Sequence, residues 1–287
     1  MVIKNRKLLK KQIQKEFLEA KISDNFIFTK VFQKEELLRE LIRRILPEVR
    51  LGKIKILARE YDVKEVEKGK GIVLDIYVED EDKMIDIEMQ VVNKPKELPN
   101  RVRYYQDLMD MDNLLKGEGY GVMKKSYVVF ICLFDPLGDN KYLYNGGTRF
   151  DGVKKSKYND GRKIILINTK GQEGKITKEL KNLLNYIDGI KDIEDTFIEK
   201  IEKQIVRIKG NEKEGRRFMS MRLALYDARQ DGILEGEKRG EKRGEINGAL
   251  TTIKNLMKSL NCDREYAIKI AGIEEDIAAI VRKKIKE

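Results

Sequence analysis

The sequence predicts a mixed α/β fold with a small sheet flanked by helices and an all-helical C-terminal extension. Three observations lead to this prediction. Much of the segment 54–92 has a side-chain pattern with a period of two residues, which is typical of strands. Residues 126–134 form an almost wholly apolar run, as expected for a buried central strand. From about residue 193 onward, the apolar spacing is helical and charged residues are frequent.

The elements of the α/β part follow one another in the order helix, strand, strand, strand, helix, strand. Their boundaries come from changes of period and from capping or breaking residues such as aspartate and proline. They are a helical or loosely ordered basic arm over residues 1–23, a helix from Ser23 or Asp24 to Pro47, strands over residues 54–58, 71–80 and 83–92, a helix from Pro99 to about Gly117, strands over residues 126–134 and 162–168, and a helix over residues 178–187.

Changes of composition divide the chain into three predicted parts. Residues 1–200 form the α/β domain with its basic N-terminal arm, residues 201–248 a charged helical segment, and residues 249–287 a small helical region. The charged segment has glycine at every fourth position. These residues are Gly232, Gly236, Gly240, Gly244 and Gly248.

The repeated glycines have two interpretations. On a helix they form a stripe without side chains, where a second helix can approach closely, and this predicts a homodimer through the C-terminal tail. The alternative is a flexible linker, because each glycine costs about 1 kcal/mol of helix stability relative to alanine. Residues 263–285 are compatible with a helix-turn-helix that grips a duplex or with a helical dimer cap.

The charge balance favours a polyanionic partner. The chain has 287 residues, with 60 Lys and Arg against 49 Asp and Glu, a formal net charge of +11 at pH 7. Such an excess attracts nucleic acid through the release of condensed counterions. A generally lysine-rich composition is the alternative explanation.

Several classes of function are excluded by residues that are missing. The sequence contains no histidine, which excludes Ser-His-Asp triads, HExxH metalloproteases and histidine-metal nucleases. Cys132 and Cys262 form no CxxC pair, so neither disulfides nor a zinc site are expected. No apolar run reaches the roughly 18 residues of a membrane span, and no signal-peptide pattern is present. We therefore expect a cytoplasmic protein, without membrane contact, that uses carboxylates, lysines and hard metals.

Two acids interrupt neighbouring apolar strands and form a candidate metal site. If the turn between the strands centres on Glu81 and Asp82, Asp75 lies opposite Glu88. Directly paired residues have β-carbons about 4.5–5.5 Å apart, close enough for two carboxylates to share a divalent ion. Alternation places Gln90 on the same face as Glu88. The alternative is that these acids line a solvated face of the sheet.

Several sequence blocks, in order, resemble one known family. They are residues 26–32 (FIFTKVF), 70–76 (KGIVLDI), 85–90 (IDIEMQ), 98–106 (LPNRVRYYQ), 115–120 (LKGEGY) and 129–136 (VFICLFDP). Together they resemble the Rpn family of recombination-promoting nucleases, a PD-(D/E)XK family whose members are also described as transposases. The resemblance covers roughly residues 20–190.

The resemblance implies a restriction-endonuclease-like core of the order αβββαβ and a DNA endonuclease that depends on Mg²⁺, with Mn²⁺ able to substitute. Asp75 and Glu88 would be the metal-binding acids, and the backbone carbonyl of Met89 would complete the metal shell. Gln90 would be a catalytic residue, although it stands where most PD-(D/E)XK enzymes have lysine. An amide can orient water but carries no charge.

A second group of residues is implied to contact DNA phosphates or the catalytic carboxylates. It consists of Arg101, Arg103, Gln106 and, more weakly, Lys30. Surface cations are the alternative interpretation. Two departures from the family, Thr29 in place of lysine and Val73 in place of arginine, remove positive charge near the site.

Two other functions compete with the endonuclease. A transposase of the ribonuclease H-like type also uses carboxylates and Mg²⁺, but it needs a third acid on a distant helix. A DNA-binding or assembly protein with a weak or degenerate nuclease centre is the second alternative, and the neutral Gln90 favours it.

Overall fold

The computed structural model of the protein describes residues 2–57, 60–61, 72–152, 158–190 and 194–285. The chain forms two compact units, Met1–Phe218 and Met219–Glu287. No helix in these described ranges is both long enough and apolar enough to cross a membrane.

In the described part of the chain, three α-helices are followed by five strands, one α-helix and three strands, and from Lys178 onward the elements are all helices. The helices are α1 (Val2–Glu19), α2 (Asn25–Phe32), α3 (Glu35–Ile45), α4 (Leu98–Asn113), α5 (Lys178–Ile187), α6 (Thr196–Lys209), α7 (Glu212–Leu260), α8 (Arg264–Ala271) and α9 (Glu275–Lys284). The strands are β1 (Lys55–Leu57), β2 (Glu60–Tyr61), β3 (Ile72–Val73), β4 (Ile76–Glu79), β5 (Lys83–Gln90), β6 (Lys125–Cys132), β7 (Leu143–Gly146) and β8 (Arg162–Asn168).

Six strands form one mixed sheet in the order β1-β4-β5-β6-β8-β7, and β2 pairs with β3 separately. The pairs β1–β4, β4–β5 and β7–β8 are antiparallel, whereas β5–β6 and β6–β8 are parallel. Parallel neighbours need a crossover, and α4 supplies it between β5 and β6. The predicted mixed α/β fold with flanking helices is therefore confirmed.

The β4–β5 hairpin has the predicted register. Ile76 pairs with Ile87 and Tyr77 with Asp86, which centres the turn between residues 81 and 82. The buried side chain of Asp80 explains why the turn forms there, because it accepts hydrogen bonds from the backbone N–H groups at positions 82 and 83.

The predicted strand over residues 71–80 is wrong in one respect. The described part of it is divided into β3 and β4, with Leu74 and Asp75 outside both ladders. The division has a physical reason: around Asp75, side-chain to backbone hydrogen bonds take the place of ladder bonds. The predicted first residue, Gly71, lies outside the described residues.

Other boundaries also differ from the prediction. The helix predicted up to Pro47 is two helices, α2 and α3, and Asp24 caps the first by accepting hydrogen bonds from Phe26 and Ile27. The basic arm is the helix α1. Strand β7 was not predicted, because its sequence LYNG lacks apolar alternation and only its pairing with β8 makes it a strand.

The face of the sheet that carries the candidate site is covered by α4. Apolar side chains of α4 and of the sheet form one core cluster there. Its largest members include Tyr77, Tyr105, Met109, Phe130 and Tyr144. The cluster packs α4 against the sheet, mainly against β6.

Within Met219–Glu287, the last part of α7 packs with α8 and α9 around a small apolar core that includes Ile253, Ile268 and Val281. Gly272 joins α8 to α9 with a positive φ of 60°, which glycine adopts without strain. Helix α7 continues through all five glycines of the stripe. A Cβ atom added at Gly240 would meet no heavy atom of the described chain within 4 Å.

Candidate active site

The candidate site lies at the end of the β4–β5 hairpin, beside the start of α4. Glu88 and Gln90 are on β5, Asp75 is in the bend before β4, and Arg101 is in the first turn of α4. Hydrogen bonds from one guanidinium to both Glu88 and Gln90 show that these side chains share a face of β5, as their spacing predicts.

Two hydrogen bonds link Asp75 to the strand that carries Glu88. The backbone N–H of Asp75 donates to Oε1 of Glu88 at 2.9 Å. The backbone N–H of Met89 donates to Oδ2 of Asp75 at 3.0 Å. Asn25 of α2 donates from its side chain to Oδ1 of Asp75 at 3.3 Å. The two carboxylates are therefore held side by side between β4 and β5.

Burial makes the ionised forms of both acids costly. It raises the pKa of Asp75 to about 6, although the Met89 N–H and the charge of Arg101 act in the opposite direction. The pKa of Glu88 is raised to about 8, first by burial and then by the negative charge of Asp75. Two neighbouring anions that are partly or fully shielded from water favour a proton or a cation between them. The pair is therefore suited to binding a cation.

Arg101 already contacts this anionic pair. Its Nη2 donates to Oε2 of Glu88 at 3.0 Å and to the hydroxyl of Tyr105 at 2.9 Å. Its Nη1 donates to Oε1 of Gln90 at 2.5 Å. The guanidinium carbon also lies 5.2 Å from the ring centres of Tyr105 and Phe130, a favourable cation–π distance.

The sequence profile described as PD-(D/E)XK nuclease family transposase matches residues 22–231. The chain belongs to this family. The match to the PD-(D/E)XK nuclease family transposases spans the whole sheet and the candidate site, and it confirms the resemblance and the predicted fold class. Comparison with curated proteins and with solved structures gives no significant match. Membership of this family indicates a nuclease- or transposase-type function on DNA.

For a PD-(D/E)XK nuclease family transposase, the donors of the site fit a hard divalent ion. Within the described residues, no group of three or more His, Cys, Asp and Glu side chains is placed to hold a metal ion. Asp75 and Glu88 offer two neighbouring carboxylates. Mg²⁺ is commonly bound by one or two carboxylates while it keeps several waters, so this donor set suits Mg²⁺.

The backbone of Met89 faces the edge of β5 that lies next to Asp75. The Leu133 N–H donates to the carbonyl of Gln90 at 3.1 Å, so the backbone of Gln90 faces β6. The preceding residue of a strand faces the opposite edge. The Met89 carbonyl therefore lies on the edge where the Met89 N–H bonds to Asp75.

Two residues predicted to contact phosphates are held elsewhere. Gln106 is 3% exposed and donates from Nε2 to the carbonyl of Lys163 at 3.2 Å, so it links α4 to β8 instead of facing solvent. Lys30 forms an ion pair with Glu214 at 3.1 Å, and its amine lies over the ring of Phe26. Local spacing gave no indication of either contact, since the partners are distant in sequence.

Arg103 is exposed on α4, and the structure gives it no hydrogen bond or ion pair with any described residue. It does not join the carboxylates, and its contact with a phosphate stays a prediction. Of the four residues in this predicted group, Arg101 is the one that contacts the acid pair.

Sequence reasoning missed two polar neighbours of the pair. Asn25 binds Asp75 from α2, which the hairpin pattern could not indicate. Asp86 is fully buried, and its oxygens accept no hydrogen bond from the described residues. Burial raises the pKa of Asp86 well above its usual range, and the charges of Glu88 and Asp75 raise it further. The spacing of Asp86 and Glu88 could have indicated that Asp86 belongs to the site, because residues two apart on a strand share a face.

Proposed function

We propose that this protein is a metal-dependent DNA endonuclease linked to recombination or mobile elements. The observation that carries the proposal is the pair formed by half-buried Asp75 and buried Glu88, which are held side by side and have raised pKa values. A bound divalent cation would offset their repulsion. Family membership and the net charge of +11 support DNA as the substrate.

Hydrolysis places the OH of a water molecule on phosphorus, breaks one P–O ester bond and leaves the other water proton on the departing oxygen. Asp75, Glu88 and the Met89 carbonyl would hold the ion. Bound Mg²⁺, or Mn²⁺ in its place, lowers the pKa of a water molecule and offsets charge on the phosphate. The chain itself orients the reactants. The two acids are positioned by backbone N–H groups, and Gln90 is held by a 2.5 Å hydrogen bond from its amide to the carbonyl of Val92.

Nicking of supercoiled plasmid DNA tests the proposal directly. Wild-type protein is expected to cut with Mg²⁺ and to stop when a chelator is added. Asp75→Asn should not cut. Glu81→Gln, an exposed acid in the turn of the same hairpin, is the matched control and should cut normally. Cutting that survives in Asp75→Asn would refute the assignment of the site.

A second candidate is a DNA-binding or assembly protein with a degenerate nuclease centre. The neutral Gln90 and the ion pair between Arg101 and Glu88 favour it, because that pair uses one of the carboxylates. Calorimetric titration with Mg²⁺ separates the two functions. If the protein is an endonuclease, the wild type binds Mg²⁺ and Asp75→Asn does not. If it is purely a DNA-binding protein, the wild type and Asp75→Asn give the same titration.

A further inference from the structure

The proposed reaction needs positive charge or hydrogen-bond donors aimed at the phosphate. Negative charge grows on the phosphate oxygens as water attacks, and groups fixed in advance stabilise it most effectively. Gln90 carries no charge. Arg101 is the described cation that contacts both Glu88 and Gln90.

We infer that Arg101 is the catalytic cation of this site and that Gln90 is the positioning residue that aims it. The inference rests on the proposed endonuclease function. The positive charge at the phosphate would then come from Arg101 on α4. Position 90 on β5 would carry a neutral group that orients this charge.

The guanidinium of Arg101 is fixed in place but still open to a ligand. It is held by Glu88, Gln90 and Tyr105, and it lies over the ring of Phe130. Its side chain nevertheless remains 33% exposed. A cation that is immobilised and accessible is suited to contact a phosphate oxygen.

Arg101 also has donors to spare among the described residues. A guanidinium has five N–H donors, and three hydrogen bonds to described acceptors are formed, to Glu88, Gln90 and Tyr105. Two donors, one on Nε and one on Nη1, therefore remain to contact phosphate oxygens.

The amide of Gln90 has a defined orientation. Its Nε2 donates to the carbonyl of Val92 at 2.5 Å, so Oε1 is the atom that faces Arg101. A neutral acceptor orients the guanidinium without neutralising it. A lysine at position 90 would instead place a second positive charge against Nη1 of Arg101.

An exchange of charge between the two positions tests the inference in the full-length protein. We expect Arg101→Gln to lower kcat for plasmid nicking by about 100-fold, the usual cost of losing one transition-state donor. Gln90→Lys alone should lower it by about 10-fold because two cations then face each other. The double variant should recover at least about 10-fold over Arg101→Gln, since lysine then supplies the missing charge.

Mg²⁺ affinity, measured by calorimetry, provides a readout that is independent of cutting. Removing the guanidinium frees Oε2 of Glu88, so Arg101→Gln should bind Mg²⁺ at least as tightly as the wild type. A merely structural role would weaken Mg²⁺ binding and turnover together. Arg101→Lys, which keeps the charge, covers the case in which the glutamine variant does not fold. If Arg101→Gln folds, Arg101→Lys should retain more activity than it does. If Arg101→Gln is unfolded, Arg101→Lys should fold, bind Mg²⁺ with undiminished affinity and cut more slowly than the wild type.

Glu81→Gln is the control, because Glu81 is exposed in the turn of the same hairpin and has no part in the site. It should leave both Mg²⁺ affinity and kcat within about 3-fold of the wild type, a change of under 1 kcal/mol. Normal cutting by Arg101→Gln, or no recovery in the double variant, would overturn the inference while the endonuclease function stands. Absence of Mg²⁺-dependent cutting by the wild type would overturn the proposed function, and the inference with it.

Discussion

The backbone N–H of Asp75 donates a 2.9 Å hydrogen bond to Oε1 of Glu88. This bond connects the bend before β4 to the middle of the site on β5. The acids are therefore positioned by backbone atoms, which a conservative side-chain substitution does not move. Charge and shape can consequently be varied separately at this site.

Glu88→Gln should abolish metal-dependent cutting without loss of folding. The amide oxygen can still accept the Asp75 N–H, while the charge that repels Asp75 is removed. We expect the thermal unfolding temperature to be equal to or higher than that of the wild type. Plasmid nicking and thermal unfolding, measured beside Glu81→Gln, check this prediction. A Glu88→Gln protein that is unfolded, or that unfolds at a lower temperature than the wild type, would contradict it.

The stability of the metal-free protein should fall as pH rises from about 4 to 8. Burial raises the pKa of Asp75 to about 6 and that of Glu88 to about 8. The folded state therefore holds more protons than the unfolded state in this range, and the free energy of unfolding decreases with pH. Thermal unfolding in chelator at pH 5 and pH 8 measures the effect. Glu88→Gln should flatten the profile above pH 6.

Mg²⁺ affinity should rise over the same pH range. The ion binds the ionised carboxylates, so protons compete with it until pH exceeds the raised pKa values of the acids. Calorimetry at pH 6, 7 and 8 should give successively tighter binding. Affinity that is independent of pH would mean that the ion is bound elsewhere.

Gln106→Ala tests whether this side chain supports the fold or the substrate. Gln106 is buried and bonded to the carbonyl of Lys163, so its loss should cost about 1 kcal/mol of stability, as expected for the loss of one hydrogen bond. DNA affinity of the folded protein should not change. Chemical denaturation and a DNA-binding titration separate the two effects. Weaker DNA binding with unchanged stability would restore Gln106 to the predicted phosphate-contacting group.

The homodimer proposed through the glycine stripe can be tested without disturbing the monomer. A Cβ atom at Gly240 meets no described atom within 4 Å, and replacing glycine in a helix interior gains up to about 1 kcal/mol of helix stability. Gly240→Leu should therefore fold normally but prevent a second helix from approaching. Light scattering should give the dimer mass for the wild type and the monomer mass for this variant. Equal masses would exclude the stripe from dimer formation.

Features that depend on neighbouring residues were predictable from the sequence. The hairpin register follows from two-residue alternation and from the turn at Asp80, Glu81 and Asp82, so the placement of Asp75 beside Glu88 could be predicted. Likewise, the predicted bounds of β8 and α5 agree with the structure. In each case the pattern and the interaction lie within one or two adjacent elements.

Features that depend on distant contacts were decided only by the tertiary structure. The pairing of Lys30 with Glu214 and the inward direction of Gln106 join residues that no local period relates. The placement of Arg101 between Glu88 and Gln90 depends on how α4 packs on the sheet. The sequence by itself therefore determined which acids face each other, because backbone alternation controls that. Only packing between elements decided which cation reaches those acids, because the direction of a long side chain depends on the atoms around it.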